Sequence, residues 1–163
     1  MRKSYRNPEQ VIEPGQALEA TISTAKGDIV VALYPDKAPK TVNNFVFLAR
    51  DGYYDGLTFH RVVDNFIIQG GCPEGSGRGG PGYEFEDEPI QGDYIEGSLA
   101  MANKGPHTNG SQFFISTVDN RSRLGRQYNL FGQVIKGLDV VHEIRQGDVI
   151  NSISIEVVQP STK

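Results

Sequence analysis

Leu18, Ala20 and Ile22 alternate with polar neighbours, the period of a strand with one buried face. Residues 29–34 follow as a nearly continuous apolar run, and Lys26, Gly27 and Asp28 between the two segments predict a tight turn. The pair therefore reads as a β-hairpin. At Pro39 the period changes. Val42, Phe45, Val46 and Ala49 recur at helical spacing and form one apolar stripe, with Pro39 at the favoured first-turn position. Asp51 and Gly52 end this helix. Further strands are predicted near residues 57–63, 66–70, 97–102, 112–117 and 130–136, and a short helix over 138–145. The last strand alternates at Ile153, Ile155 and Val157. Residues 71–97 show little periodicity, and a loop that long inside a compact domain usually carries function or moves.

These elements predict a mainly β fold, a closed eight-stranded antiparallel β-barrel capped by two α-helices. The 19 glycines and 9 prolines agree with many short strands joined by turns. A length of 163 residues suits one domain, assigned to residues 17–163, with 1–16 as a polar extension on the surface. The net charge of -4, with scattered cations, offers no basic face for nucleic acid. No apolar run approaches the roughly 18 residues of a membrane span. No apolar segment follows the basic residues at the start, so a secretory signal is not expected. Cys72 is the only cysteine, which excludes an internal disulfide. A cytoplasmic protein is expected, and a monomer, because no long apolar stripe is left for a partner.

Most candidate chemistry fails on context. Gly75, Gly77 and Gly80 match a G-x-G-x-x-G string, but Pro81 and Gly82 follow where a phosphate-binding helix must begin. His60, His107 and His142 lack metal-ligand spacing, and His60 should face away from its neighbour Arg61. Cys72 has no identifiable base and reads as a passive thiol. Ser111 lacks the surroundings of a nucleophile elbow. Glu84, Glu86, Asp87 and Glu88 read as an exposed acidic loop rather than a cation site. No cofactor is expected.

What remains is a set of polar residues inside strands. Arg61, Gln69 and Gln112 sit among Phe, Ile and Val. With period two, Ile67 shares a face with Gln69, and Gln112 shares one with Phe114. Amides beside aromatic rings suit an apolar pocket with a few polar groups aimed into it, although a barrel end with ordinary polar-out positions has the same pattern. No member of the set is a nucleophile or a base near neutral pH. A site built from it works by positioning and hydrogen bonding.

Seven strings carry a resemblance: residues 39–45 (PKTVNNF), 59–61 (FHR), 66–71 (FIIQGG), 85–88 (FEDE), 98–103 (SLAMAN), 108–115 (TNGSQFFI) and 131–132 (FG). In order and spacing they resemble the cyclophilin family of peptidyl-prolyl cis/trans isomerases, over residues 18–158. The resemblance implies an antiparallel barrel with two helices and an activity that accelerates rotation about Xaa-Pro bonds during protein folding, without cofactor or metal. It implies Arg61 as the catalytic arginine, aided by Gln69 and Phe66. Phe66, Ile67 and Phe114 would line a proline pocket, with Leu124 at its rim and Tyr128 as an aromatic wall. Gln69 and Gln112 would bond the substrate or hold Arg61, and Ala102 and Asn103 would border the groove. Partners would be Pro-containing peptides and folding proteins. A non-catalytic module binding Pro-containing peptides is the alternative. Two positions depart from the family pattern: Arg123 stands where Trp is common, and Tyr128 where His is common. The family uses that indole to bind cyclosporin, so weak cyclosporin binding is expected. Ile67 replaces a more usual Met, a tolerated swap of similar volume. The short loop over residues 51–59 resembles the compact prokaryotic members.

Overall fold

The computed structural model describes residues 4–158. Ten elements follow in chain order: β1 (Ala17–Thr24), β2 (Gly27–Leu33), α1 (Pro39–Arg50), β3 (Arg61–Val63), β4 (Ile67–Gly70), β5 (Ser98–Met101), β6 (Phe113–Ser116), β7 (Leu130–Lys136), α2 (Leu138–Glu143) and β8 (Ile150–Val158). The strands form one sheet in the order β3-β4-β6-β5-β7-β2-β1-β8, and each neighbouring pair is antiparallel.

The predicted hairpin is β1–β2. Thr24 pairs with Gly27 across a two-residue loop, and Thr24 Oγ1 accepts from the Lys26 N–H and donates to Gly27 O. Gly27 has φ +134°, and a Cβ there would lie 2.8 Å from a methyl of Val140, so its absence lets α2 pack against β2. Val42, Phe45, Val46 and Ala49 are buried on α1 as their spacing predicts. The Phe45 ring meets Tyr54, Phe113 and Phe131 at centroid distances of 5.3, 5.7 and 5.2 Å. Tyr53 and Tyr54 are fully buried aromatics in the short connection after α1.

The expected closed barrel is corrected. No ladder joins β3 to β8, and the sheet is an open, curled half-barrel. Its edges approach where the segment before β3 meets the start of β8, and Thr58 bridges Val149 there. Backbone bonds there run from Gly56 N to Ile150 O, Ile150 N to Leu57 O and Phe59 N to Asp148 O. Beside β3 itself, Val62 and Val63 face a hollow lined by Val141, His142, Ile144 and Arg145. The alternation expected in β8 also fades: Ile153 is buried, but Val157 at this edge is half exposed.

Residues 4–16 form no strand or helix, yet they are docked on α1. Asn43 Oδ1 accepts from the N–H groups of Val11 and Ile12 at 2.8 and 3.2 Å, and its Nδ2 donates to Glu9 O. Ile12 joins the core, and the Tyr5 ring meets Phe47 edge-on at 5.1 Å.

The acidic loop is exposed at Glu84 and Glu86, as expected, but Asp87 and Glu88 are half-buried and engaged. Ala38, at the N-cap of α1, supplies no side-chain cap. The carboxylate of Glu88 supplies it from outside, accepting from Lys40 N at 2.9 Å, Thr41 N at 2.8 Å and Thr41 Oγ1 at 2.6 Å. Glu86 pairs with Lys40, and Asp87 accepts from Asn109 Nδ2.

Candidate functional site

Each strand of the half-barrel sends alternate residues to two faces. Ile68, Leu99, Met101, Phe113 and Ile115 enter the main core, while Ile67, Ala100 and Phe114 build a second, smaller cluster with Tyr94 and Leu130 on the opposite face. Phe66, Ala102, Leu124 and Tyr128 pack against that second cluster. The face that a half-barrel normally leaves to water therefore carries its own apolar floor.

Register places the polar residues along this floor. Arg61 pairs with Gln69, Gln69 with Phe114, and Phe114 with Ala100, across β3, β4, β6 and β5. The side chains join in sequence. Arg61 Nη1 donates to Gln69 Oε1 at 3.2 Å, and Gln69 Nε2 donates to Gln112 Oε1 at 3.2 Å. β4 ends at Gly70, one residue after Gln69, and the chain then leaves the sheet. Gly71, with φ +92°, allows this, since a Cβ there would lie 2.6 Å from Ser111 O.

A hollow of about 520 Å³ is lined by Arg61, Phe66, Ile67, Gln69, Ala102, Asn103, Phe114, Leu124 and Tyr128. Gln112 stands behind Gln69 and lines an adjoining groove of about 640 Å³, which shares Gln69, Gly77, Ala102 and Asn103 with the first. The ring of Tyr128 meets Phe114 edge-on at 5.4 Å and Tyr94 at 6.3 Å. Asn103 has a committed side chain: Nδ2 donates to Gln127 O and Oδ1 accepts from Gly105 N. Arg123 lies outside the hollow, its guanidinium carbon 4.5 Å over the Phe66 ring, and it donates to Asn65 O.

His60 is a correction. It lines the same hollow as Arg61 instead of facing away. It precedes the first residue of β3, so strand alternation does not govern it. Neither ring nitrogen has a hydrogen-bond partner. Burial, and then the nearby Arg61 charge, hold its pKa below the ordinary histidine value.

Two supports carry no chemistry of their own and are absent from the predicted set. Tyr94 Oη donates to Tyr128 O at 2.6 Å and accepts from Tyr128 N at 3.1 Å, which fixes the aromatic wall. Asn120, fully buried, donates from Nδ2 to Phe66 O at 2.9 Å. A lone aromatic in a polar loop, and an Asn in a turn, were the only signals in the sequence.

A family profile described as cyclophilin type peptidyl-prolyl cis-trans isomerase matches residues 19–160. A peptidyl-prolyl cis-trans isomerase of Helicobacter pylori is 43% identical over 155 residues, covering 93% of each chain. Isomerase B of Bacillus subtilis is 46% identical over 126 residues, covering 76% of this chain and 87% of that one. The crystal structure of a cyclophilin type isomerase from Cryptosporidium parvum superposes with a TM-score of 0.80 at 35% identity, over 88% of this chain and 99% of that one. A second structure of that protein, determined in the presence of the dipeptide Ala-Pro, gives a TM-score of 0.73. With its half-barrel, its apolar floor and these relatives, the chain belongs to the cyclophilin family of peptidyl-prolyl cis-trans isomerases.

Proposed function

We propose that the hollow over Phe114 grips the proline ring of an Xaa-Pro segment while Arg61 acts on the bond before it. Partial double-bond character makes rotation cost about 18–20 kcal/mol. As the bond twists, the nitrogen lone pair localises and the carbonyl turns. A donor placed there stabilises the twisted state more than either planar state, which is the requirement for catalysis. The observation that carries this reading is the bonded row Arg61, Gln69, Gln112 beside an apolar floor.

Each residue then has a part. Phe66, Ile67, Phe114, Leu124 and Tyr128 hold the ring by apolar contact. Gln69 and Gln112 keep the guanidinium aimed. Ala102 and Asn103 border the peptide path, and the committed side chain of Asn103 leaves its main chain for the peptide. The substrates are Pro-containing segments of folding chains, in keeping with the Ala-Pro dipeptide used with the Cryptosporidium parvum relative.

The test is a steady-state assay on a short Xaa-Pro peptide. Phe114→Ala should raise KM with a smaller change in kcat, because it loosens the ring. Arg61→Ala should lower kcat with KM nearly unchanged. The reverse pattern, with Phe114→Ala acting on kcat alone, contradicts this division of labour.

A further inference from the structure

Gln112 has a fixed direction. Its Nε2 donates to two carbonyls of one turn, Gly77 O and Gly79 O, at 3.0 Å each. With both N–H groups committed there, Oε1 must face Gln69. The amide row is therefore polar. If Gln112 flipped, it would present Nε2 to Gln69 Nε2, donor against donor. Gln69 would have to flip as well, and its own NH₂ would then face the Arg61 guanidinium. An acceptor faces Arg61 only while the turn keeps its two carbonyls in place.

That turn has no strand or helix to hold it, and it is rich in glycine. It winds around one atom. Cys72 Sγ accepts the N–H of Gly77 and the N–H of Gly79 at 3.3 Å each, and Ser76 Oγ lies 4.0 Å away. The two residues that present carbonyls to Gln112 thus give their N–H groups to the sulfur. Cys72 is buried. Burial pushes its thiol up, but the backbone N–H groups of Gly79, Glu74, Gly77 and Ser76 outweigh this and leave it below the ordinary thiol value. The sulfur is polarised as an acceptor.

We infer that Cys72 is a positioning residue for the isomerase site: its sulfur sets the turn over residues 72–79, the turn sets Gln112, and Gln112 sets Gln69 and Arg61. The kinetic part of this inference rests on the role given above to Arg61.

The experiment compares wild type, Cys72→Ala and Cys72→Asp as full chains. Asp offers the same two N–H groups a carboxylate acceptor, while Ala offers none. Two readouts are taken: the side-chain ¹⁵N–¹H signals of Gln112, Gln69 and Arg61 Nε, and kcat and KM on an Xaa-Pro peptide. Cys72→Ala should shift all three signals and lower kcat by about five- to tenfold, since small misplacements of a catalytic group are costly. KM should hold within about twofold because the apolar contacts to the ring come from Phe66, Ile67, Phe114, Leu124 and Tyr128, which lie outside the turn. Cys72→Asp should restore most of both. A Cys72→Ala protein with wild-type signals and kcat overturns the inference. So does a folded Cys72→Asp protein that stays as perturbed as the Ala variant. If Cys72→Ala does not fold, the Asp protein decides alone: wild-type signals and kcat support the inference, and displaced signals with a low kcat refute it. Arg61→Ala is run in parallel. Wild-type speed in that variant ends the catalytic reading of Arg61, and the side-chain signals then judge the positioning role by themselves.

Discussion

The cap on α1 comes from a residue far away in sequence, and its removal has a size that can be worked out. Glu88→Ala deletes a carboxylate that accepts from Lys40 N, Thr41 N and Thr41 Oγ1. Loss of a side-chain cap costs about 1 kcal/mol. Loss of a negative charge at a helix N-terminus costs about 0.3–1 kcal/mol more. The Thr41 hydroxyl bond contributes about 1 kcal/mol, and Thr41 is fully buried, so water does not readily replace it. The variant should be about 2–3 kcal/mol less stable. For a chain of this size that lowers Tm by about 5–10 °C. Glu88→Gln, which keeps an acceptor but no charge, should fall in between. Urea and thermal unfolding followed by far-ultraviolet circular dichroism measure this directly. A Glu88→Ala protein within about 0.5 kcal/mol of wild type, the range of ordinary surface changes, would falsify the capping argument.

His60 gives a pH prediction. Its folded pKa is depressed, first by burial and then by Arg61, so the unfolded chain takes up the proton first as pH falls. Its contribution to stability is complete above about 6.5, the ordinary histidine value, and is lost as pH falls through the lower folded value. Proton NMR of the ring should show a midpoint below that of free histidine, and a midpoint at or above it contradicts the burial argument. Arg123 gives an inhibitor prediction. It covers Phe66 with a guanidinium rather than an indole, so cyclosporin should inhibit weakly and Arg123→Trp should bind it more tightly. Nanomolar inhibition of the wild type contradicts this.

Local patterns predicted local structure well. Leu18, Ala20 and Ile22 alternate and form β1, and the stripe Val42, Phe45, Val46 and Ala49 forms the buried side of α1. Closure was not legible, because alternation tells which way a side chain points and not whether two edges meet. The contacts between residues 56–59 and 147–150 depend on how far the sheet curls, which is set by the whole fold. Glu88 looked like a member of a solvated cluster because its partners, Lys40 and Thr41, lie far away in the chain. The grouping of Ile67, Gln69 and Phe114 on one hollow, with Gln112 on the adjoining groove, was legible because the two amides stand among apolar strand formers. His60, Tyr94 and Asn120 were not, since each sits outside a strand, where periodicity carries no information.

The most direct test of the account separates rotation on the protein from binding. Exchange NMR on a saturating Xaa-Pro peptide reads the cis-to-trans rate of the bound molecule in wild type and in Arg61→Ala. Wild type should show rapid interconversion and Arg61→Ala a bound rate about 100- to 1,000-fold lower, the effect of removing one donor that acts on developing charge. Chemical shifts should show the proline ring still seated over Phe114. Equal bound rates in the two proteins would contradict the assignment of Arg61 as the group that stabilises the twisted bond.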